Sequence, residues 1–146
     1  MPDVRELPAG ATARAARALL ELRPQYGGAD ELVRRIDEVQ RPQGYRLAGS
    51  FDAGEEDAAG VAGFRVVEML AWGRALYVDD LSTLPGRRGR GHAGALFDWL
   101  GEEAARLGCR ELHLDSGVGP HRTDAHRFYF RRGMRIAAFH FQRETG

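Results

Sequence analysis

The stretch RRGRGHAGAL, residues 87 to 96, decides the fold because it spaces three glycines between a strand pattern and a helix pattern. Before it, RALYVDDLSTL (74–84) has the apolar and β-branched residues typical of a strand, which Pro85 ends. After it, HAGALFDWLGEEAARLG (92–108) has apolar residues at helical spacing, with Gly108 as a stop signal. A strand, a glycine-rich turn and a helix N-terminus together predict an anion-binding site, because the first amides of a helix lack internal partners.

Two phosphate-binding patterns overlap in this stretch. Residues 89 to 94 match the dinucleotide fingerprint G-x-G-x-x-G, and Asp115 follows at the spacing expected for ribose recognition. That fingerprint requires a doubly wound parallel sheet, and only 31 residues remain after Asp115. Residues 88 to 93 match a second pattern, R-x-x-G-x-A, which requires only the strand, turn and helix already described. We therefore favour the second pattern.

The rest of the chain predicts an α/β (α+β) fold, with a mixed, mostly antiparallel central sheet flanked by helices. The predicted elements, in the order β-α-α-β-β-β-α-β-α-β(-β), are strand 4–7, helices 11–24 and 28–42, strands 45–52, 61–70 and 74–84, helix 92–108, strand 109–117, helix 123–133 and one or two closing strands in 134–144. Asp30 and Thr123 are the expected N-caps of their helices. Because no repeat or linker interrupts the pattern, we expect one domain over residues 1–146.

Charge and composition narrow the class of partner. The chain has 21 arginines and 21 acidic residues, so a nucleic-acid partner is not expected. No run approaches the roughly 18 apolar residues of a membrane span, so no membrane partner is expected either. Residues 1–84 carry ten arginines against fourteen acidic residues, and residues 85–146 carry eleven against seven. This asymmetry favours an anionic ligand on the C-terminal half and a cationic one on the N-terminal half.

The chain start and its cysteine content indicate a compartment. The first ten residues lack the basic and apolar regions of a signal peptide, and the lone Cys109 cannot form an internal disulfide. We therefore expect a cytoplasmic location. The histidines at 113, 121 and 126 do not assemble a recognisable metal-ligand spacing with that cysteine, so no metal is predicted.

A second motif follows the glycine-rich stretch by about 30 residues. Residues 125 to 134 read A-x-x-F-Y-x-x-x-G-M. With the R-x-x-G-x-A pattern, this resembles motifs A and B of the GNAT superfamily of N-acetyltransferases over residues 81–134. The usual Asn of motif B corresponds here to Arg122, and its final Phe to Met134, so one usual coenzyme contact differs.

The resemblance implies direct transfer of an acetyl group from acetyl-CoA to a primary amine of a small molecule or a peptide. The coenzyme-binding residues it implies are Leu81, Ser82, Thr83, Arg88, Gly89, Arg90, Gly91, His92, Ala93, Gly94, Arg122, Phe128 and Tyr129. A backbone N–H near Leu81 would stabilise the oxyanion, and the phenol of Tyr129 would protonate the departing thiolate.

The acceptor amine also needs a base, because its solution pKa of about 10 keeps it protonated at neutral pH. Glu68, Asp79, Asp80 or an ordered water are the candidates. Asp79 and Asp80 are adjacent on one strand, so they are expected to point to opposite faces, with at most one towards the acceptor.

Two other interpretations stay open. One is a non-catalytic coenzyme A-binding or regulatory module, which Tyr129 argues against. The other is a nucleotide-binding α/β protein, which the short C-terminal part argues against. Phe139 and Phe141 on the last predicted strand are expected in the core or in the surface of a homodimer.

Overall fold

An antiparallel meander forms the centre of the sheet, as the short connections predict. The computed structural model describes residues 1–146. The strands are β1 (Asp3–Leu7), β2 (Arg46–Phe51), β3 (Gly60–Met69), β4 (Gly73–Thr83) and β5 (Glu111–Leu114). Their order in the sheet is β1-β2-β3-β4-β5, and the first three pairings are antiparallel. The predicted fold class is confirmed.

The chain forms four α-helices, and the first two are shorter than predicted. The helices are α1 (Ala16–Leu22), α2 (Ala29–Arg35), α3 (His92–Arg106) and α4 (Thr123–Arg131). A 3-10 segment precedes α1 over Ala9–Ala15, and a π segment extends α2 over Ile36–Gln40. The first helix stops before Arg23, because the residue preceding a proline is disfavoured in the α conformation.

Both predicted N-caps are wrong by one or two positions. Gly28 occupies the cap of α2, and Asp30 lies inside the first turn, where its charge still favours the helix dipole. Arg122 occupies the cap of α4. Thr123 is the first helical residue, and its hydroxyl donates to the carbonyl of Pro120 at 2.7 Å.

The predicted closing strands at 134–144 do not form. These residues have no regular secondary structure, and Ile136, Phe139 and Phe141 are exposed. The apolar spacing is strand-like, but a strand also needs a hydrogen-bonded neighbour, and this segment has none. Placing Phe139 and Phe141 in the core is therefore wrong.

The meander buries side chains on both faces. Leu47 and Phe51 of β2 pack into one cluster with residues of α1 and α2, including Leu19 and Leu32. Ser50, between them, contacts α3 instead. Alternation along a strand sends successive side chains to opposite faces, so the α1–α2 pair and α3 cover the two sides of the sheet.

The chain divides into two compact units, residues 1–113 and 114–146. The first contains β1 to β4, α1 to α3 and most of β5; the second contains α4 and the segment after it. The single-domain expectation remains a prediction. No helix combines the length and the apolar character needed to cross a membrane.

Candidate functional site

Residues 87–94, which we call the glycine turn, follow β4 and include the first three residues of α3. Gly89 and Gly91 have φ angles of +78° and +89°, in the left-handed region that side chains other than glycine rarely adopt. No atom lies within 4 Å of a Cβ built at Gly89. Backbone conformation, and not crowding, therefore requires glycine in this turn.

The turn leads into a helix whose N-terminus has free amides. Gly91 is the N-cap of α3, and no side chain caps it. The amides from Gly91 to Gly94 donate no backbone hydrogen bond, and the first turn holds no acidic side chain. Unpaired N–H groups at the positive end of a 15-residue helix attract an anion.

One carboxylate binds both ends of the glycine turn. Asp52 accepts a hydrogen bond from Arg87 and lies 3.0 Å from Nε2 of His92. Nδ1 of His92 lies 2.7 Å from the hydroxyl of Ser50. Because an ionised carboxylate only accepts, His92 donates from Nε2 and accepts at Nδ1 from Ser50. We call Asp52, Arg87 and His92 the Asp52 clamp.

The end of β4 offers further backbone groups beside the glycine turn. Residues 81–83 pair with β3 on one side only, where Leu81 lies opposite Ala62. β5 has four residues and begins next to the start of β4, where the Arg110 amide donates to the Arg74 carbonyl. A strand of that length spans about 13 Å, so it does not reach residues 81–83.

A cavity of about 320 Å³, which we call the acidic cavity, lies in the first unit. Its lining residues are Leu19, Arg23, Gln25, Tyr26, Leu32, Arg35, Ile36, Gln40, Tyr45, Tyr77, Asp79 and Asp80. Both predicted carboxylates, Asp79 and Asp80, thus contribute to one cavity.

A β-bulge explains why the expectation of opposite faces is wrong. Gly63 pairs with Asp80, and the next residue, Phe64, pairs with Val78, so Asp79 is the extra residue on β4. A bulge interrupts the alternation of side chains and redirects one of them. Nothing in the local sequence of β4 marks this irregularity.

Each carboxylate of the acidic cavity has a fixed partner. Asp80 accepts from Nε of Arg23 at 2.7 Å and from the hydroxyl of Tyr45 at 2.8 Å. Asp79 accepts bidentate hydrogen bonds from the guanidinium of Arg65, the shortest of which is 2.7 Å. Burial and the charge of Asp80 raise the pKa of Tyr45 far above its ordinary value, so its phenol remains a donor.

Glu68, the third candidate base, lies elsewhere. Its side chain is 70% exposed, makes a long 3.4 Å ion pair with Arg74, and does not line the acidic cavity. The structure brings Asp79 and Asp80 together and leaves Glu68 apart from them.

The remaining predicted residues lie on or next to α4. The rings of Phe128 and Tyr129 meet edge to face, with centroids 5.7 Å apart. Burial raises the pKa of Tyr129, against a smaller lowering by the charge of Arg122 and by a hydrogen bond from it. The phenol is therefore protonated at neutral pH and can donate a proton.

Several residues of the site were not predicted from sequence. Ser50 lies near the end of β2 and Asp52 directly follows it, about 40 residues before the turn they contact, and Arg23 is 57 residues from Asp80. Tyr45 precedes β2 and reaches across β3 to Asp80 on β4. The sequence signal for such contacts is weak, because they depend on strand register and on the bulge.

Similarity over most of the chain identifies its family. The chain belongs to the acetyltransferase (GNAT) family, whose family model matches residues 14–134. The resemblance read from the two motifs is thus confirmed. A curated relative, the aminoalkylphosphonate N-acetyltransferase of Salmonella typhimurium, is 36% identical over 64 residues. That match spans 44% of this chain and 40% of the relative, less than half of either.

Solved structures share the fold. The ribosomal-protein-alanine N-acetyltransferase of Brucella melitensis superposes with a TM-score of 0.81 at 19% identity, covering 99% of this chain and 100% of the other. An aminoglycoside N-acetyltransferase in complex with CoA gives a TM-score of 0.80 at 18% identity, covering 99% and 95%. Both likenesses establish the architecture.

Proposed function

We propose that this chain transfers an acetyl group from acetyl-CoA directly to a primary amine of a small molecule or a peptide. The observation that carries the proposal is the glycine turn, where two left-handed glycines lead into an uncapped helix with four free amides. A diphosphate is the ligand that such a turn suits best, because it presents several acceptor oxygens to the helix N-terminus.

The coenzyme would extend from the glycine turn along β4. Small residues at Gly89, Gly91 and Ala93 leave room for the diphosphate to approach the backbone. The backbone at 81–83, which β5 does not cover, would hydrogen-bond the rest of the coenzyme and the oxyanion of the tetrahedral intermediate. Ring atoms of His92 are engaged with Ser50 and Asp52, so this residue would contribute only its amide.

The acidic cavity is the proposed acceptor site. The amine loses a proton to Asp79, Asp80 or a water held by them, and its nitrogen then attacks the thioester carbonyl carbon. A carbon–nitrogen bond forms, the nitrogen releases its second proton to water, and the carbon–sulfur bond breaks, so that the sulfur leaves as a thiolate. No covalent enzyme intermediate is required.

Tyr129 is the proposed proton donor to the thiolate. Its raised pKa keeps the phenol protonated at neutral pH, so the hydroxyl can donate a hydrogen bond and then a proton to the sulfur. Replacing Tyr129 with Phe should lower kcat by about a hundredfold or more, as for other general acids, while the Kd of CoA changes less than about threefold. Steady-state kinetics over pH 6 to 10 and calorimetry with CoA check this; unchanged turnover across that range would remove the role.

The experiment that tests the function is an acetyl-CoA assay for free thiol release with a panel of amines. The panel includes amino-terminal peptides, simple amines and, because the curated relative is named for an aminoalkylphosphonate, amines with an acidic group. Acceptor-dependent thiol release and mass-spectrometric detection of the amide are expected. Thermal shift with acetyl-CoA but not with NAD is also expected, about 2.7 kcal/mol of stabilisation at 100 times the Kd. Binding of acetyl-CoA without turnover of any amine would instead favour the non-catalytic module.

A cytoplasmic homodimer is the state in which we propose the enzyme works. The exposed apolar side chains at 136, 139 and 141 support pairing of two chains, because large exposed apolar residues in one segment are typical of interfaces. Sedimentation velocity should give twice the 16.2 kDa mass of the chain. A monomer at micromolar concentration would contradict this part.

A further inference from the structure

We propose that the acceptor is an amine that also carries an acidic group, and that Arg35 binds this group. The inference rests on the proposed function, since it concerns the acceptor of that same reaction. Three features of the acidic cavity carry it: the pairing of its carboxylates, an arginine without an ion pair, and its size.

The carboxylates of the cavity are neutralised within the protein. Arg23 pairs with Asp80, and Arg65 pairs with Asp79. Tyr45 donates a further hydrogen bond to Asp80. The cavity therefore has no excess of negative charge to attract a simple cation. Its carboxylates can still accept hydrogen bonds from an amine, provided that a second contact elsewhere in the cavity holds the ligand.

Arg35 supplies that other contact. It lies in the last turn of α2, is exposed, lines the cavity and forms no ion pair. The neighbouring Arg34 is different, because it pairs with Glu31 on its own helix and does not line the cavity. A guanidinium presents a planar fork of donors that binds a carboxylate or a phosphonate through two parallel hydrogen bonds.

The size of the cavity favours a small ligand. Its volume of about 320 Å³ lies at the lower end of the range for small-molecule sites. Tyr26 and Tyr45 contribute aromatic walls. A small molecule with an amine at one end and an acid at the other would match the carboxylates and Arg35 together, whereas a protein chain would extend beyond the cavity.

A matched series of acceptors tests the inference. Propylamine, ethanolamine, β-alanine and 2-aminoethylphosphonate share a primary amine and differ in the group at the other end. In the wild-type protein, kcat/KM should be at least about tenfold higher for the two acidic amines, as expected for a charge-assisted pair. Arg35→Gln should raise the KM of the acidic amines by about ten- to a hundredfold and leave the KM of propylamine and acetyl-CoA unchanged. Arg34→Gln is the matched control, with no effect on either class.

Calorimetry separates this inference from the proposed function. Binding of β-alanine and 2-aminoethylphosphonate to the CoA-loaded protein should weaken in Arg35→Gln and not in Arg34→Gln, whether or not turnover occurs. If the acidic amines bind but none is acetylated, the proposed function fails and the anion site stands. If propylamine, or a peptide without an acidic group near its amino end, is preferred, or if Arg35→Gln changes nothing, the anion site is refuted while acetyl transfer stands.

A separate observation carries a second inference, which also rests on the proposed function: Asp52 is a positioning residue for the coenzyme. We infer this from the Asp52 clamp, in which Arg87 precedes Gly89 and Gly91 and His92 follows them. A single carboxylate that binds both ends of a turn limits the conformations of the residues between them. His92 is fully buried, so its ring fixes the start of α3 against β2.

The clamp holds the turn in the conformation that exposes its amides. Without Asp52, the turn would have to be ordered when the coenzyme binds, and affinity would fall by the cost of that ordering. A hydrogen bond from Arg87, with a further one from His92, lowers the pKa of Asp52 despite its partial burial, so the carboxylate is ionised throughout the neutral range.

Calorimetry with CoA, which needs no acceptor, tests the clamp. Asp52→Asn should raise the Kd of CoA about tenfold, and Asp52→Glu should recover part of it. Asp37→Asn is the control, because Asp37 is an arginine-paired carboxylate of similar exposure, 33% against 29%, away from the turn. Kinetics should show a higher KM for acetyl-CoA and an unchanged KM for the amine, a difference that a general loss of stability does not produce.

Should Asp52→Asn fail to fold, Arg87→Gln removes one of the two contacts of the clamp and should raise the Kd of CoA about threefold. Wild-type affinity in either folded variant would overturn the inference.

Discussion

The glycine turn and the acidic cavity both depend on glycine, for opposite physical reasons. At Gly91 the backbone has φ of +89°, and the nearest atom to a built Cβ is 3.9 Å away, so only the backbone conformation demands glycine. At Gly63 the φ angle lies outside the left-handed region, but a Cβ built there would overlap the hydroxyl oxygen of Tyr45. Gly91 therefore determines a backbone shape, and Gly63 provides space for a side chain.

The two regions also differ in the origin of their parts. The turn comes from eight consecutive residues whose spacing is visible in the sequence. The cavity is lined by residues on or near α1, α2 and β4, joined by pairs such as Arg23 with Asp80. A change in one region should therefore leave the other intact, and the following variants test that independence.

Gly91→Glu should have the largest effect, on the turn alone. A left-handed conformation costs a side chain about 1–2 kcal/mol, and a carboxylate at the phosphate position adds repulsion. CoA binding should weaken by more than about a hundredfold in calorimetry. Gly101→Glu, on α3 with open space around it, is the control. Retained CoA affinity in Gly91→Glu would refute the placement of the diphosphate.

Asp80→Asn should damage the cavity alone. Removing the charge leaves Arg23 without its carboxylate and weakens the bond from Tyr45, so kcat/KM for the amine should fall by about ten- to a hundredfold. The Kd of CoA should stay within about twofold. Glu68→Gln, an exposed carboxylate outside the cavity, should behave like wild type in the same assay. A loss of CoA affinity in Asp80→Asn would show that the regions are coupled.

Gly63→Ala should affect the cavity by displacing Tyr45. The added methyl overlaps the phenol, and relieving such overpacking costs about 1–3 kcal/mol of unfolding free energy. Urea denaturation measures this cost. The companion variant Gly63→Ala/Tyr45→Phe removes the phenol oxygen and should recover part of it. Equal stability of Gly63→Ala and wild type would disprove the close packing of these two residues.

Glu103→Gln should give the smallest effect, and one that depends on pH. A hydrogen bond from Arg106, and another from Arg46, lower the pKa of Glu103 to about 2 despite burial. A lowered folded-state pKa stabilises the protein above the unfolded value of 4.5, and this contribution is lost as pH falls towards 2. The variant should be less stable than wild type by on the order of 1–2 kcal/mol at pH 7, with the difference shrinking below pH 4.5. Glu102→Gln, its exposed neighbour, should show no such trend.

Local patterns predicted most of the fold. The meander, the long helix after the turn and the stop at Gly108 depend on spacing within one element, and Gly108 does have a positive φ of +74°. The closing strands failed because the alternation around Phe139 specifies a strand only when a neighbour pairs with it. The N-caps failed by one or two positions, because the chain caps these helices at Gly28 and Arg122 without any side-chain hydrogen bond, and Gly is itself an accepted N-cap residue.

The candidate site could likewise be predicted only where its residues are close in sequence. The glycine turn could be predicted because its residues are contiguous. The arrangement of Asp79 and Asp80 could not, because the bulge that redirects Asp79 depends on the pairing of β3 with β4. Likewise Asp52 contacts the turn only because β2 lies beside the start of α3.

A crystal structure with bound acetyl-CoA tests the central claim most directly. We expect diphosphate oxygens about 2.7–3.2 Å from the amide nitrogens between Gly91 and Gly94, with the backbone of the glycine turn unchanged. A coenzyme bound with its diphosphate away from these amides, and the turn left unoccupied, would contradict it.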